Sequence, residues 1–125
     1  MNKMTTDTAI HVDVDNGITV VTFGSQLEHL DDHAVMLHQE ELLATADTAD
    51  PPRVLFDLTQ VALFGSTFIE VIFRVWNRLN KQDGNQFAIC GLSPYCLEVL
   101  QITHLDQLWP IHESRSEAIS QMTSP

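Results

Sequence analysis

The sequence predicts an α/β fold: a mixed sheet of four or five strands, opened by an antiparallel hairpin and covered by about four helices. Three observations carry this. Ile10, Val12 and Val14 alternate with His11, Asp13 and Asp15 ahead of Asn16-Gly17 and a β-branched run at 18–23. Two short apolar runs at 53–58 and 87–92 suit strands buried on both faces. Between them, residues 66–81 repeat their apolar side chains with the period of a helix.

Residues 1–8 are polar and are expected to be disordered, leaving 9–125 as one folded domain. The period of two at Ile10, Val12 and Val14 predicts a half-buried strand, and Asn16-Gly17 is a strong hairpin signal. Gly24 ends the returning strand. Asp31 or Asp32 serves as N-cap of a helix over about 32–46, with Val35, Met36, Leu37, Leu42 and Leu43 as its wide apolar stripe. Pro51-Pro52 breaks it. Residues 59–64 read as a tight connection. The next helix places Ile69, Ile72, Phe73, Trp76 and Leu79 on one face, with Phe68, Val71 and Val75 as a second strip beside Arg74 and Arg78. So much apolar girth means either deep burial or a patch offered to a partner. Asp83-Gly84 stops the helix, and Ser93-Pro94 starts another with an N-cap and a proline at the first helical position. A short strand within 108–112 and a helix over 116–122 complete the chain.

Charge excludes several partners. The net charge is −11, and residues 1–50 hold ten acids and one base, Lys3. Phosphate backbones and anionic headgroups repel such a body, so direct nucleic-acid binding and membrane insertion are not expected. No apolar run is long enough to span a bilayer, and the polar start lacks the apolar core of a secretory signal; a cytoplasmic location is expected. A protein partner with a basic face is allowed, as is a homo-oligomer.

Catalytic and metal-binding patterns are missing. Cys90 and Cys96 are separated by five residues, which is no C-x-x-C pair, and both read as small core residues. Phe64-Gly65-Ser66-Thr67-Phe68 lacks the second glycine of a nucleophile elbow. The six histidines are scattered, and His29 and His33 straddle a helix start, so no metal or cofactor is expected. No set of acid, base and nucleophile can be assembled, and the chain is not expected to be an enzyme.

Order and spacing of several short motifs are more informative. Asp57-Leu58-Thr59 closes an apolar strand, Gly65-Ser66-Thr67-Phe68 opens a long helix, and Gly91-Leu92-Ser93-Pro94 ends the next strand. Leu105 to Ile111 and Glu117-Ala118-Ile119 come after them. Over about residues 9–122 this series resembles the STAS domain of bacterial anti-sigma-factor antagonists. The resemblance implies a STAS-like fold and a regulatory protein that binds an anti-sigma factor, itself a serine kinase of the GHKL type. It implies that the kinase phosphorylates the first hydroxyl of the motif, here Ser66, with Thr67 in the place of the second. Gly65 stands where the family has aspartate, and Phe68 and Glu70 stand where it has small residues.

The physics of the position fits a switch. A helix N-terminus carries unpaired N–H groups and partial positive charge, which accommodate a phosphate. Facing a partner, the added charge of about −1.5 to −2 blocks docking. Ser66 alternatively serves only as the N-cap; Thr67 forms a capping-box pattern with Glu70. The partner surface is expected to include Gly65, Phe68, Val71, Arg74 and Val75. Two other roles stay open: a non-phosphorylated adaptor subunit of a stress-signalling scaffold or lipid-transport complex, and a small-molecule or nucleotide sensor.

Overall fold

The computed structural model describes residues 9–124; the segment 1–8, expected to be disordered, lies outside them. The chain runs β1 (Ile10–Asp15), β2 (Ile18–Phe23), β3 (His29–Leu30), α1 (Asp32–Thr48), β4 (Arg53–Asp57), β5 (Leu63–Phe64), α2 (Ser66–Leu79), β6 (Gln86–Cys90), α3 (Pro94–Ile102), β7 (Ile111–His112) and α4 (Arg115–Met122). Asn16 and Gly17 close the opening hairpin in the left-handed region, at φ 53° and 80°, which matches the twist of the strands they join. The main sheet has the order β1-β2-β4-β6-β7, antiparallel at β1–β2 and parallel elsewhere. β4 is therefore the central strand, with β2 and β6 beside it, as the apolar runs predict.

Alternate residues of these strands feed two cores. Val21, Phe23, Val54, Phe56, Phe87 and Ile89 point into a large core shared with α1, α2 and α3. Ile18, Val20, Leu55, Ala88 and Cys90 point the other way, onto Ala118, Ile119 and Met122 of α4. The large core is aromatic at its centre: Phe68 of α2 meets Phe23 edge-on with ring centroids 5.5 Å apart, and Phe23 meets Phe56 at 5.3 Å.

The edge strand departs from the predicted pattern. Ile10 is buried, but Val12 and Val14 are 42% and 66% exposed. Their partners in register, Val21 and Thr19, are covered, so the helical layer reaches β2 and leaves the hairpin end of β1 to solvent. The opposite face of β1 is the anchored one. Arg115 at the start of α4 donates to Asp13 at 3.0 Å and lies 3.5 Å from Asp15. On α1 the expected stripe also splits: Val35 and Leu42 are buried, whereas Met36 and Leu37 face solvent.

A second, two-stranded sheet was not legible in the sequence. β3 pairs in parallel with β5, inside what reads as loop and tight connection. It sits directly before α1 and before α2, and so sets the two helix starts side by side.

Candidate functional site

The start of α2 is built by motifs that are distant in sequence. Asp57, at the end of β4, is buried and accepts hydrogen bonds from the Thr59 backbone N–H at 3.0 Å and hydroxyl at 2.6 Å. This turns the chain out of the sheet. Gly91 packs against that turn at φ 76°, and a Cβ there would overlap the Thr59 hydroxyl oxygen; glycine is the residue that meets both demands. Ser93 donates to the carbonyl of Ala62 at 2.8 Å and accepts from the Cys96 N–H at 3.2 Å, so it caps α3 while holding the segment that leads to α2. The Asp57-Leu58-Thr59 and Gly91-Leu92-Ser93-Pro94 motifs thus meet in space and together position the first turn of α2.

Gly65, in extended conformation, is the N-cap of α2, and no side chain caps the helix. Ser66 is the first helical residue. It is solvent-exposed, and its hydroxyl makes no hydrogen bond to the described residues. Both capping expectations are therefore corrected: Ser66 is not the cap, and Thr67 does not form a box with Glu70. The Thr67 hydroxyl instead donates to Asp32 of α1 at 2.5 Å, tying the two helix starts together. The first turn of α2 keeps its N–H groups open, which favours a negative group. Depressions flank the site on both sides, one lined by Ile69, Glu70 and Phe73 and the other by Leu30, Asp31, His33 and Leu63.

The apolar strip expected to face a partner does not do so. Phe68 and Val75 are fully buried and Val71 is 1% exposed. The buried face of α2 centres on Phe68, Val71, Ile72, Val75 and Leu79, rotated by about 80° from the stripe read in the sequence, at 100° per residue. Ile69, Phe73 and Trp76 lie on its half-buried flank. Of the expected surface, Gly65, Ser66 and Arg74 are exposed and Thr67 is half-buried.

Other reactive groups are muted. Burial, then the charge of Asp57, pushes the Cys90 thiol up to about 12 despite Arg115 nearby. Burial also raises Cys96. Both thiols are free and buried. For Arg115, burial pulls the pKa down, and the hydrogen bond and charge of Asp13 outweigh it, so the guanidinium is held above its ordinary value. Among the described residues no cluster of three or more His, Cys, Asp or Glu is arranged to hold a metal ion. No helix among them is long and apolar enough to cross a membrane.

The start of α2 thus presents a free hydroxyl beside helix N–H groups that no side chain caps. The chain belongs to the STAS domain family, whose model matches residues 9–118. An anti-sigma-factor antagonist (STAS) domain protein from Planctomyces limnophilus is 39% identical, with TM-score 0.88 over 92% of this chain and 98% of that one. An anti-sigma factor antagonist from Mycobacterium paratuberculosis is 19% identical, with TM-score 0.79 over 92% and 93%. The Bacillus cell fate determinant SpoIIAA, in its phosphorylated form, is 19% identical, with TM-score 0.63 over 90% and 98%. No curated protein matches the chain. The mixed sheet with its opening hairpin and four helices is thus the STAS fold that the motif order predicts.

Proposed function

We propose that this chain is a cytoplasmic anti-sigma-factor antagonist that catalyses nothing itself. It binds an anti-sigma factor kinase of the GHKL type at the start of α2 and is released when Ser66 is phosphorylated. The observation that carries this reading is the uncapped α2 start with the exposed, unbonded Ser66 hydroxyl. The Planctomyces antagonist, 39% identical along nearly its whole length, supports the general role. The phosphorylated form of SpoIIAA supports the chemistry. Ser66 is the acceptor rather than Thr67, because the Thr67 hydroxyl is engaged by Asp32.

A phosphate at Ser66 would meet the dipole of α2 from within the protein and a like charge from any acidic group on an approaching partner. Incubation with the host's kinase and ATP is expected to add one phosphate to the wild type and none to Ser66→Ala. A second reading has its own observation. Glu70 lies one turn along from Ser66 on the exposed face, and Gly65 replaces the family aspartate. Glu70 opposes a phosphate there, which favours an adaptor that binds without being modified. A chain that binds the kinase and stays unphosphorylated would select this second reading.

A further inference from the structure

We infer that the solvent face of α1 is a second docking surface, made for a protein segment with an apolar stripe and a rim of Lys or Arg. His33, Leu37, Glu40 and Ala44 succeed one another at helical spacing along the exposed side of α1, with Met36 beside them. Met36 is 67% and Leu37 66% exposed, while Val35, Leu42 and Ala46 on the opposite side are sealed in the core. Met36 and Leu37 therefore lie outside the single buried stripe that anchors the helix.

Charge specifies the occupant. Residues 4–52 hold ten acids and not one Lys or Arg. Around the apolar pair stand the exposed carboxylates Asp32, Glu40, Glu41 and Asp47. Asp47 is paired with Arg78 at 2.6 Å and Asp32 accepts from Thr67. Glu40 has no ion-pair partner among the described residues and lies between Met36 and Leu37 on the helix surface. Glu41 lies 3.7 Å from the His38 imidazole. Among the described residues Arg78 is the one Lys or Arg paired within the rim, so the rim stays net negative. An apolar centre inside it complements a cationic amphipathic helix, and it repels nucleic acid and anionic lipid alike. The surface adjoins the α2 start through the Asp32–Thr67 contact, yet it works whether or not Ser66 is a switch.

The test uses the full chain, labelled with 15N, and a synthetic amphipathic helix of leucine and lysine, with a leucine–glutamate twin as control. The lysine peptide is expected to shift amide signals of residues 33–44, and the glutamate twin to leave them in place. Met36→Ser with Leu37→Ser should weaken binding roughly tenfold, because two side chains lose their burial in the complex. Glu40→Lys with Glu41→Lys should weaken it at least as much, whereas Glu98→Lys, on the exposed side of α3, should leave it unchanged. Unaltered affinity in the double serine variant would overturn the inference. So would shifts spread over the whole acidic surface, or an equal loss with Glu98→Lys.

Discussion

The starts of α2 and α3 make an instructive pair. Each comes after a parallel strand, and each has a glycine and a serine close to its first turn. At α3, Ser93 caps the helix and Pro94 occupies its first turn. α1 and α4 are capped in the same way: Asp31 accepts from the Ala34 N–H, and Ser114 accepts from the Glu117 N–H. At α4 the Glu117 carboxylate also accepts from the Glu113 N–H, close to a reciprocal box. Only α2, among these four, begins on a glycine without a side-chain cap. The three capped starts serve the fold. The uncapped one leaves a hydroxyl and a set of N–H groups without a side-chain partner among the described residues, where the proposed partner would dock.

The largest effect should come from testing the boundary between fold and site. Val75→Lys places a charge in the centre of the large core, where Val75 is fully buried. It should remove most of a stability on the order of 5–15 kcal/mol. A cooperative thermal transition and native circular dichroism in this variant would mean that the strip is surface after all.

Ser93→Ala comes next. It removes the α3 cap and the bond to the Ala62 carbonyl together, and should cost about 1–2 kcal/mol in urea unfolding. A neutral result would show that the capped start does not support the fold as the comparison requires.

Gly65→Asp is the smallest change and sharpens the contrast most. Gly65 is at φ −112°, where any residue fits, and a Cβ there meets nothing within 4 Å. Supplying the missing cap should stabilise the domain by a few tenths of a kcal/mol. A loss of stability would mean that α2 is open because a cap does not fit, rather than because none is present.

Much of this was legible in the sequence, for identifiable reasons. The hairpin, the two central strands and the α3 cap rest on local chemistry: Asn16-Gly17, the runs at 53–58 and 87–92, and Ser93-Pro94. The motif order put the proposed acceptor, Ser66, at a helix start, and Ser66 is the first residue of α2. The features that stayed hidden are long-range. α2 has apolar residues around most of its girth, so periodicity alone could not say which strip the sheet would take; Phe23 and Phe56 on the sheet decide it by packing on Phe68. Val12 and Val14 alternate correctly but lie beyond the reach of the helices. β3 and β5 are two residues each, too short for any period. The Thr67–Asp32 bond spans 35 positions, and no local rule anticipates it.

Docking of the proposed partner on the open start of α2 is decided by the affinity of the host's anti-sigma kinase for the wild type, Ser66→Ala and Ser66→Asp, each verified as folded by circular dichroism. Alanine removes a hydroxyl that bonds to none of the described residues and should bind as the wild type does. Aspartate places a carboxylate where the partner approaches and should bind about tenfold more weakly or worse, a loss of at least about 1.4 kcal/mol. Aspartate binding with wild-type affinity would rule out docking at this helix start.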